Sequence, residues 1–455
     1  MMPAAAVTAG PLIITRLGAR GDGIARSDAR GSDIARSDAR GGDVARSDAS
    51  NNHDTVPRSE ARGDGRPSGP VYVARALPGE RVEGAIEGDR MAAPRILTPS
   101  AHRVTAPCRH YGACGGCALQ HADDAFVAEW KRDQLRDALA RVGIAVDIGP
   151  VLTSPPGSRR RAVLHGRRTK KGVVVGFHGH RSATVTAVPE CLVLSDGLRA
   201  ALPGLEALVQ VGGSRKAEMA LTVTQTPQGP DVAVEGGKPV DAVLLGQLAG
   251  VADQARFARL SWNGEVLALR DRPVIALGPA GVTPPPGGFL QATAEGEAAL
   301  VAAVLRMTEG ARRVADLFAG CGTFALPLAA RAEVHAVEGD AALTEALAAG
   351  WRGAGGLHAL NVETRDLFRR PLLPEDLARF DAVVIDPPRA GAVAQMAELA
   401  RSAVPRIAAV SCNPASFARD AALLIAGGYR LEQAQVVDQF RWSPHIELVA
   451  LFARP

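Results

Sequence analysis

Four cysteines are spaced in a way that suits a metal centre. Cys108, Cys114 and Cys117 lie in the segment CRHYGACGGC, and Cys191 follows in PECLVL. The two glycines of CGGC free the backbone to fold around one centre, as an iron–sulfur cluster or a tetrahedral zinc ion requires. The spacing by itself leaves both metals open. The chain has only six cysteines among 455 residues, too few for a secreted disulfide framework, which favours metal ligation or catalysis.

A fifth cysteine is placed for covalent catalysis. Cys412 follows the apolar, strand-like segment RIAAVS and precedes Asn413 and Pro414, which predict a stiff turn into a helix. A thiol at the end of a strand can serve as a nucleophile. The remaining cysteine, Cys321, lies inside a glycine loop, where we expect it to pack. Cys412 is therefore the predicted nucleophile.

A glycine loop and two acidic strand ends predict a nucleotide site. The segment RVADLFAGCGTFALPLA carries the pattern Asp316-x-x-x-Gly320-x-Gly322, which is typical of class I methyltransferases rather than of dinucleotide-binding proteins. Glu338 ends the next apolar strand, where a carboxylate can bind ribose hydroxyls. Asp386 ends the buried strand FDAVVID, so it is expected at the same catalytic edge.

The general base is predicted near the end of the chain. Glu447 begins a strongly apolar strand in SPHIELVALFARP. The last strand of a methyltransferase sheet runs antiparallel to the others, so its first residue is expected beside Cys412. Burial there raises the pKa of a carboxyl and suits it to proton transfer. His445, two residues earlier, is expected only to pack.

The motifs GGFLQAT, DLFAGCGTF, VIDPPRAG, SCNP and HIEL occur in this order, and together they resemble the RNA uracil-5-methyltransferase family. Outside a repeat near the amino terminus, the resemblance covers the whole chain. It implies that the cofactor S-adenosylmethionine binds at four positions and that Cys412 is the nucleophile and Glu447 the base. The implied cofactor-binding residues are Gln291, Phe318, Glu338 and Asp386. Thr293 departs from the family, which usually has Asn there.

The resemblance also implies a mechanism, because carbon 5 of uracil is too weak a nucleophile to attack a sulfonium methyl group unaided. A thiolate adds to carbon 6, carbon 5 takes the methyl group, and a base then removes the carbon 5 proton so that the cysteine leaves. Arg389 follows the two prolines of DPPR, where enzymes that methylate exocyclic amines usually carry an aromatic residue. This argues against an exocyclic amine as the target and leaves room for a phosphate or carbonyl contact.

The cysteine set resembles the iron–sulfur cluster of bacterial ribosomal members of the family. The resemblance implies a [4Fe-4S] cluster in preference to zinc, and RNA, specifically 23S ribosomal RNA, as the partner. A run of basic residues is expected to contact phosphates. It consists of Arg159, Arg160, Arg161, Arg167, Arg168, Lys170 and Lys171.

These sites require three domains. Alternation of apolar strands and helices from residue 284 to 455 predicts a doubly wound, Rossmann-like α/β sheet. Residues 99–283 are expected to form a central α+β domain that bears the cluster and binds RNA; the segments from about Val173 to Leu269 are mostly β-like. Residues 1–98 are expected to form a small β-barrel, and LGARGDGIAR with VYVARALPGERV resembles the TRAM domain of RNA-modifying enzymes.

A low-complexity segment interrupts the predicted barrel at about residues 21–68. It begins with three near-copies of a ten-residue unit rich in Gly, Ser, Asp and Arg. Each copy offers one aliphatic residue, so we interpret it as a loosely held expansion. The alternative is a basic arm that contacts RNA.

Composition places few limits on function. The net charge of +4 permits a polyanionic partner without requiring one. The chain shows neither a signal sequence nor a membrane-spanning run, so a cytoplasmic protein is expected, with no membrane association and no obligate protein partner evident. Two alternatives stay open: the same reaction on transfer RNA, and a non-catalytic RNA-binding or redox-sensing protein.

Overall fold

The computed structural model describes residues 7–26 and 69–454. The chain separates into two compact units. The first holds the described residues up to Thr105 together with Ala118–Asp123, and the second holds Ala106–Cys117 and the chain from Asp124 onward. The loop that carries Cys108, Cys114 and Cys117 therefore belongs to the second unit. The division into three domains stays a prediction.

The first unit is a six-stranded sheet with the order β5-β3-β2-β1-β4-β6. Its strands are β1 (Val7–Leu17), β2 (Gly23–Arg26), β3 (Pro70–Val73), β4 (Arg81–Ile86), β5 (Arg90–Met91) and β6 (Arg95–Thr98). Aliphatic residues such as Ile14, Val71 and Val82 alternate along the strands and meet in one core. The strands predicted on both sides of the repeat are confirmed.

The first copy of the repeat is in part a strand. Gly23–Arg26 form β2, in which Ile24 and Ala25 are buried. β2 pairs with β3 so that Arg26 lies opposite Pro70. The interpretation of a loosely held expansion is therefore wrong for these first residues, because their aliphatic side chains belong to the core. The other two copies lie outside the described residues.

After the loop with three cysteines, the second unit contains a helix and a seven-stranded sheet with the order β10-β9-β8-β11-β12-β13-β14. The elements are α1 (Asp124–Ala140), β7 (Leu152–Thr153), β8 (Arg161–Thr169), β9 (Gly172–His178), β10 (Val185–Ala187), α2 (Asp196–Gly212), β11 (Met219–Thr226), β12 (Gly229–Glu235), α3 (Ala242–Gln254), β13 (Arg259–Trp262) and β14 (Glu265–Leu269). The segment predicted as mostly β-like thus includes α2 and α3. The Ser195 side chain caps α2, and Leu198, Leu205 and Leu208 give that helix its buried face.

The carboxy-terminal half is an eight-stranded sheet with the order β19-β18-β17-β20-β21-β23-β22-β7, preceded by the small hairpin β15-β16. The elements are β15 (Ile275–Leu277), β16 (Ala280–Val282), α4 (Ala294–Met307), β17 (Arg313–Leu317), α5 (Ala325–Ala329), β18 (Glu333–Glu338), α6 (Ala341–Gly353), β19 (Leu360–Thr364), α7 (Pro374–Leu377), β20 (Ala382–Ile385), α8 (Val393–Arg401), β21 (Arg406–Ser411), α9 (Pro414–Ala426), β22 (Arg430–Asp438) and β23 (Glu447–Ala453).

Helices cover both faces of this sheet. Along β20, Val383 and Ile385 belong to a core shared with α8 and α9, whereas Ala382 and Val384 belong to a second core shared with α4 and α5. The strands are apolar without alternation because both of their faces are buried. The predicted doubly wound sheet is confirmed. Among the described residues, none of the helices combines the length and apolar character that crossing a membrane requires.

Candidate active site

The carboxyl ends of four parallel strands meet at one edge of the eight-stranded sheet. Leu317 at the end of β17 pairs with Val337 in β18 and with Ile385 in β20, and β20 pairs in turn with β21. In an open α/β sheet this edge is where ligands bind. The strand ends bring four predicted residues to it: Phe318, Glu338, Asp386 and Cys412.

The last strand adds Glu447 to this edge. β23 runs antiparallel to β21, as predicted from the sequence, and Ser411 pairs with Leu448. The same register sets Cys412, which follows Ser411, opposite Glu447, which precedes Leu448. Glu447 is buried with 5% exposure, and Cys412 is half-buried. A thiol and a carboxyl therefore face each other across two neighbouring strands.

Three titratable groups perturb one another here. Burial raises the pKa of Glu447 well above its ordinary value, and Asp386 adds to the effect. Burial raises the pKa of Asp386 to about 7. The pKa of Cys412 is raised to about 11, first by burial and then by Glu447 and Asp386, while Arg389 acts in the opposite direction. The Cys412 thiol is therefore protonated at neutral pH in the free protein.

Arg389 brings a positive charge next to the thiol. Asn413 caps α9 and donates its Nδ2 to the carbonyl of Arg389 at 3.1 Å, which fixes that backbone beside Cys412. The guanidinium Nη1 lies 3.3 Å from His445 Nδ1. The pKa of His445 is lowered by burial and by Arg389. The neutral ring can then accept a hydrogen bond from Arg389, so His445, expected only to pack, also orients this charge.

The glycine loop makes a tight turn between β17 and α5. Phe318, Gly320 and Gly322 have φ angles of 61°, 56° and 102°, which allow the turn. The Glu338 carboxylate accepts hydrogen bonds from the backbone N–H groups of Gly320 at 2.9 Å and Gly339 at 2.7 Å. A Cβ built on Gly320 would meet nothing within 4 Å. The loop thus leaves open space beside a carboxylate, as a ribose-binding site requires.

Gln291 is held by a residue that sequence reasoning missed. Gln439, in the connection from β22 to β23, donates its Nε2 to Gln291 Oε1 at 2.7 Å, and both side chains are buried. Gln439 belongs to no local motif, so only the tertiary structure identifies it. Thr293, the departure from the family pattern, caps α4 by accepting a hydrogen bond from the Gly296 N–H at 3.0 Å.

The four predicted metal ligands all lie in the second unit. The pKa of Cys114 is raised by burial and by the nearby Cys191 and Cys108, while the Gly116 N–H, 3.4 Å from its Sγ, opposes this. Burial lowers the pKa of Arg159, whereas Cys117 and Cys191 raise it, so both thiols lie close to that guanidinium. All six cysteines of the chain are free thiols. Cys321, by contrast, is buried in the core, and its pKa is raised to about 12.

The basic run divides into two parts. Arg160 pairs with the buried Glu297 at 2.5 Å, and Arg161 donates to the carbonyls of Gly287 and Gly288. These arginines, with Arg159 over the ring of Phe440, stabilise the protein interior. The rest of the run lies at the turn between β8 and β9, where Arg167, Lys170 and Lys171 are exposed. The side chains of these three residues are therefore open to solvent.

Relatives of the chain are RNA methyltransferases. Residues 358–454 match the family model of tRNA (uracil-5-)-methyltransferases. The chain is 43% identical over 403 residues to an uncharacterized RNA methyltransferase of Brucella suis biovar 1 (strain 1330), covering 88% of this chain and 97% of that protein. It is 35% identical over 412 residues to the 23S rRNA (uracil(1939)-C(5))-methyltransferase RlmD of Chromohalobacter salexigens, covering 84% of each. The chain belongs to the RNA uracil-5-methyltransferase family.

This RNA methyltransferase has a close counterpart in fold. The crystal structure of Pyrococcus abyssi tRNA (uracil-54, C5)-methyltransferase in complex with S-adenosyl-L-homocysteine matches it with a TM-score of 0.67 and 21% identity. The match covers 98% of this chain and 100% of that chain. The segment matched by the family model contains Asp386, Cys412 and Glu447.

In this RNA methyltransferase, the rate at which Cys412 is alkylated should depend on the charges of its neighbours Asp386 and Arg389. Asp386, with a pKa of about 7, is ionised at pH 9 and opposes the thiolate. We expect Asp386→Asn to lower the Cys412 pKa and speed its alkylation by iodoacetamide at pH 9, by roughly tenfold for each pKa unit. Arg389→Gln should raise the pKa and slow alkylation.

Peptide mass spectrometry over time measures alkylation at each cysteine separately. Cys321 is the internal control, because its burial should keep it unreactive in all three proteins. Equal rates at Cys412 in the wild type and both variants would contradict the electrostatic account.

Proposed function

We propose that this RNA methyltransferase transfers a methyl group from S-adenosylmethionine to carbon 5 of a uridine in 23S ribosomal RNA. The observation that carries the proposal is the placement of Cys412 opposite Glu447, with Asp386 close enough to perturb the pKa of both. A nucleophile and a base on the same catalytic edge are what methylation of this unreactive carbon requires.

The residues at the edge fit the cofactor. The open space at Gly320 and the carboxylate of Glu338 suit a ribose, and Phe318 offers an apolar ring beside them, 5.4 Å from the ring of Phe368. Gln291, held by Gln439, supplies an oriented amide, and Asp386 a carboxyl. When bound, S-adenosylmethionine would supply an electrophilic methyl group to carbon 5 and leave as S-adenosylhomocysteine, whose sulfur keeps the electron pair of the broken bond.

Cys412 begins the reaction by forming a bond from Sγ to carbon 6 of the uracil. The half-buried thiol must first lose its proton to solvent, and Arg389 favours the thiolate that results. Addition moves the electron pair of the carbon 5–carbon 6 double bond into an enolate, so that carbon 5 becomes nucleophilic. Since the target carbon is covered in a stacked helix, the uridine must be unpaired or flipped out.

Glu447 completes the reaction by accepting the proton of the methylated carbon 5. The electron pair of that carbon–hydrogen bond re-forms the double bond, and the bond from Sγ to carbon 6 breaks. The buried Glu447 has a raised pKa, which makes its carboxylate a stronger base than an exposed one. Cys412 is then restored as a thiolate.

We further propose that Cys108, Cys114, Cys117 and Cys191 hold a [4Fe-4S] cluster. Support comes from Cys114, whose pKa is raised by the nearby Cys191 and Cys108 and whose Sγ lies 3.4 Å from the Gly116 backbone nitrogen. The cysteine loop also packs closely against Gly179. Position 115 must be glycine there, because a Cβ would meet the Gly179 backbone at 2.9 Å. Such a cluster would tie this loop to Cys191, which precedes α2.

Three observations support 23S rRNA as the substrate. The RlmD relative is named for 23S rRNA, the cysteine set resembles that of ribosomal members, and the first unit is a small β-sheet domain of the TRAM-like kind proposed here for RNA binding. The exposed residues Arg167, Lys170 and Lys171 would contact phosphates.

The decisive experiment incubates the protein with labelled S-adenosylmethionine and ribosomal RNA that lacks 5-methyluridine. Mass spectrometry of the digested RNA identifies the labelled nucleoside, and fragment mapping locates it. We expect label in 5-methyluridine of 23S rRNA. Label only in transfer RNA would support the proposed reaction but contradict 23S rRNA as its substrate. Absence of label from both RNAs would favour the non-catalytic alternative.

Loss of one cluster ligand should remove the iron. We expect Cys191→Ser, purified without oxygen, to lose most of the iron and the visible absorbance that the wild type carries, because three thiolates hold a cluster poorly. Cys412→Ala is the matched control and should keep both signals. A colourless wild type that contains zinc would show that the site takes zinc instead.

A further inference from the structure

A second cluster of ligand-type side chains lies on the seven-stranded sheet. His165 in β8 pairs with Gly176 in β9 and with Ala220 in β11. Side chains two residues apart along a strand share a face. His178 is two residues from Gly176, and Glu218 is two residues from Ala220. The register therefore brings His165 in β8, His178 in β9 and Glu218, which directly precedes β11, to the same face of the sheet.

The contacts within this cluster are short. Glu218 Oε1 lies 2.9 Å from His165 Nδ1 and 2.7 Å from His178 Nε2. The two imidazole rings stack with their centres 3.8 Å apart. One ligand atom from each residue lies within 4.8 Å of the others. The side chains of His165, His178 and Glu218 are 27%, 38% and 27% exposed, so solvent reaches the cluster.

We propose that His165, His178 and Glu218 bind a divalent ion of the zinc type. Two imidazole nitrogens and one carboxylate oxygen are a common set of three protein ligands for Zn²⁺, with a fourth position left to water. Mg²⁺ and Ca²⁺ prefer oxygen ligands, so this donor set disfavours them.

The site is distinct from the four cysteines but close to their loop. The Gly115 N–H donates to the backbone carbonyl of His178 at 2.8 Å. Only the backbone of His178 makes this contact, so replacing its side chain leaves the hydrogen bond in place. Leu164 in β8 and Val175 in β9 lie on the opposite face of the sheet, where they pack in the core with α2. Substitutions at the proposed ligands are therefore expected to leave the fold intact.

The test compares Zn²⁺ binding by full-length proteins purified without oxygen. Iron content is measured first, so that the cysteines are known to be occupied equally. In isothermal titration calorimetry, we expect the wild type to bind one more Zn²⁺ per chain than His165→Ala/His178→Ala. Since losing an outer-shell partner weakens metal affinity by roughly 10- to 100-fold, losing the carboxylate charge in Glu218→Gln should weaken it at least as much.

Two controls make the result specific. Glu218→Gln keeps an oxygen that accepts hydrogen bonds from both histidines, so it separates loss of a ligand from loss of structure. His358→Ala removes an exposed histidine elsewhere in the chain and should bind Zn²⁺ as the wild type does. Equal Zn²⁺ binding by the wild type and the double variant would overturn the proposal, as would tighter binding of Mg²⁺ than of Zn²⁺.

Discussion

Replacing Cys412 by alanine is expected to lower methyl transfer by at least about 10⁴-fold, the scale on which loss of a covalent nucleophile acts. The physical reason is that carbon 5 of uracil becomes nucleophilic only after addition at carbon 6. The measurement is single-turnover transfer of labelled methyl groups to RNA. Binding of S-adenosylmethionine should change little, because Cys412 is proposed to contact the uracil.

The companion variant Glu447→Gln should stop the reaction one step later. Without the base, the carbon 5 proton stays in place and the bond between Cys412 and carbon 6 persists. We expect a covalent protein–RNA complex that survives denaturing electrophoresis and carries the labelled methyl group. Cys412→Ala/Glu447→Gln should give no such complex. A complex of equal yield in that double variant would show that another residue is the nucleophile.

Breaking the buried ion pair of Lys131 is expected to have the largest effect on stability. Lys131 in α1 donates to Asp438 Oδ1 at 2.6 Å and to the carbonyl of Phe440 at 3.1 Å, and the side chains of Lys131 and Asp438 are 0% and 1% exposed. Asp438 also accepts from the Phe440 N–H at 2.9 Å. This pair holds the connection between β22 and β23, which carries Gln439 and His445.

Lys131→Met should lower the free energy of unfolding by about 3–5 kcal/mol, because it leaves the Asp438 carboxylate buried without its partner. Lys131→Met/Asp438→Leu should recover most of this loss. Urea denaturation of the full-length protein measures both. The KM for S-adenosylmethionine should rise in Lys131→Met, since Gln439 orients Gln291.

A matched control is available on the same helix. Arg132 pairs with Glu129 on the exposed side of α1, and such a pair contributes only about 0–1 kcal/mol. Arg132→Ala should therefore be close to the wild type in stability and in KM. If Lys131→Met behaved like Arg132→Ala, the connection would be held by other contacts.

Local patterns in the sequence were sufficient to predict the sheet and, at its edge, Glu338, Asp386 and Cys412, whereas Phe318 was implied by the family resemblance. Each of Phe318, Asp386 and Cys412 follows a short apolar strand directly, and parallel strands must end at the same side. Glu447 required one further rule, the antiparallel direction of the last strand, and the pairing of Ser411 with Leu448 agrees with it. These predictions depend on where each strand ends, which short stretches of sequence indicate, and on the strand directions that are typical of methyltransferase sheets.

The tertiary structure decided the contacts between distant segments. Lys131 and Asp438 are 307 residues apart, and Gln291 and Gln439 are 148 apart. The basic run looked uniform, yet Arg160 and Arg161 make contacts in the protein interior while Lys170 and Lys171 stay exposed. His165, His178 and Glu218 meet only through the register of three strands. Such contacts depend on how whole helices and strands pack against one another. The local spacing of residue types does not predict that packing.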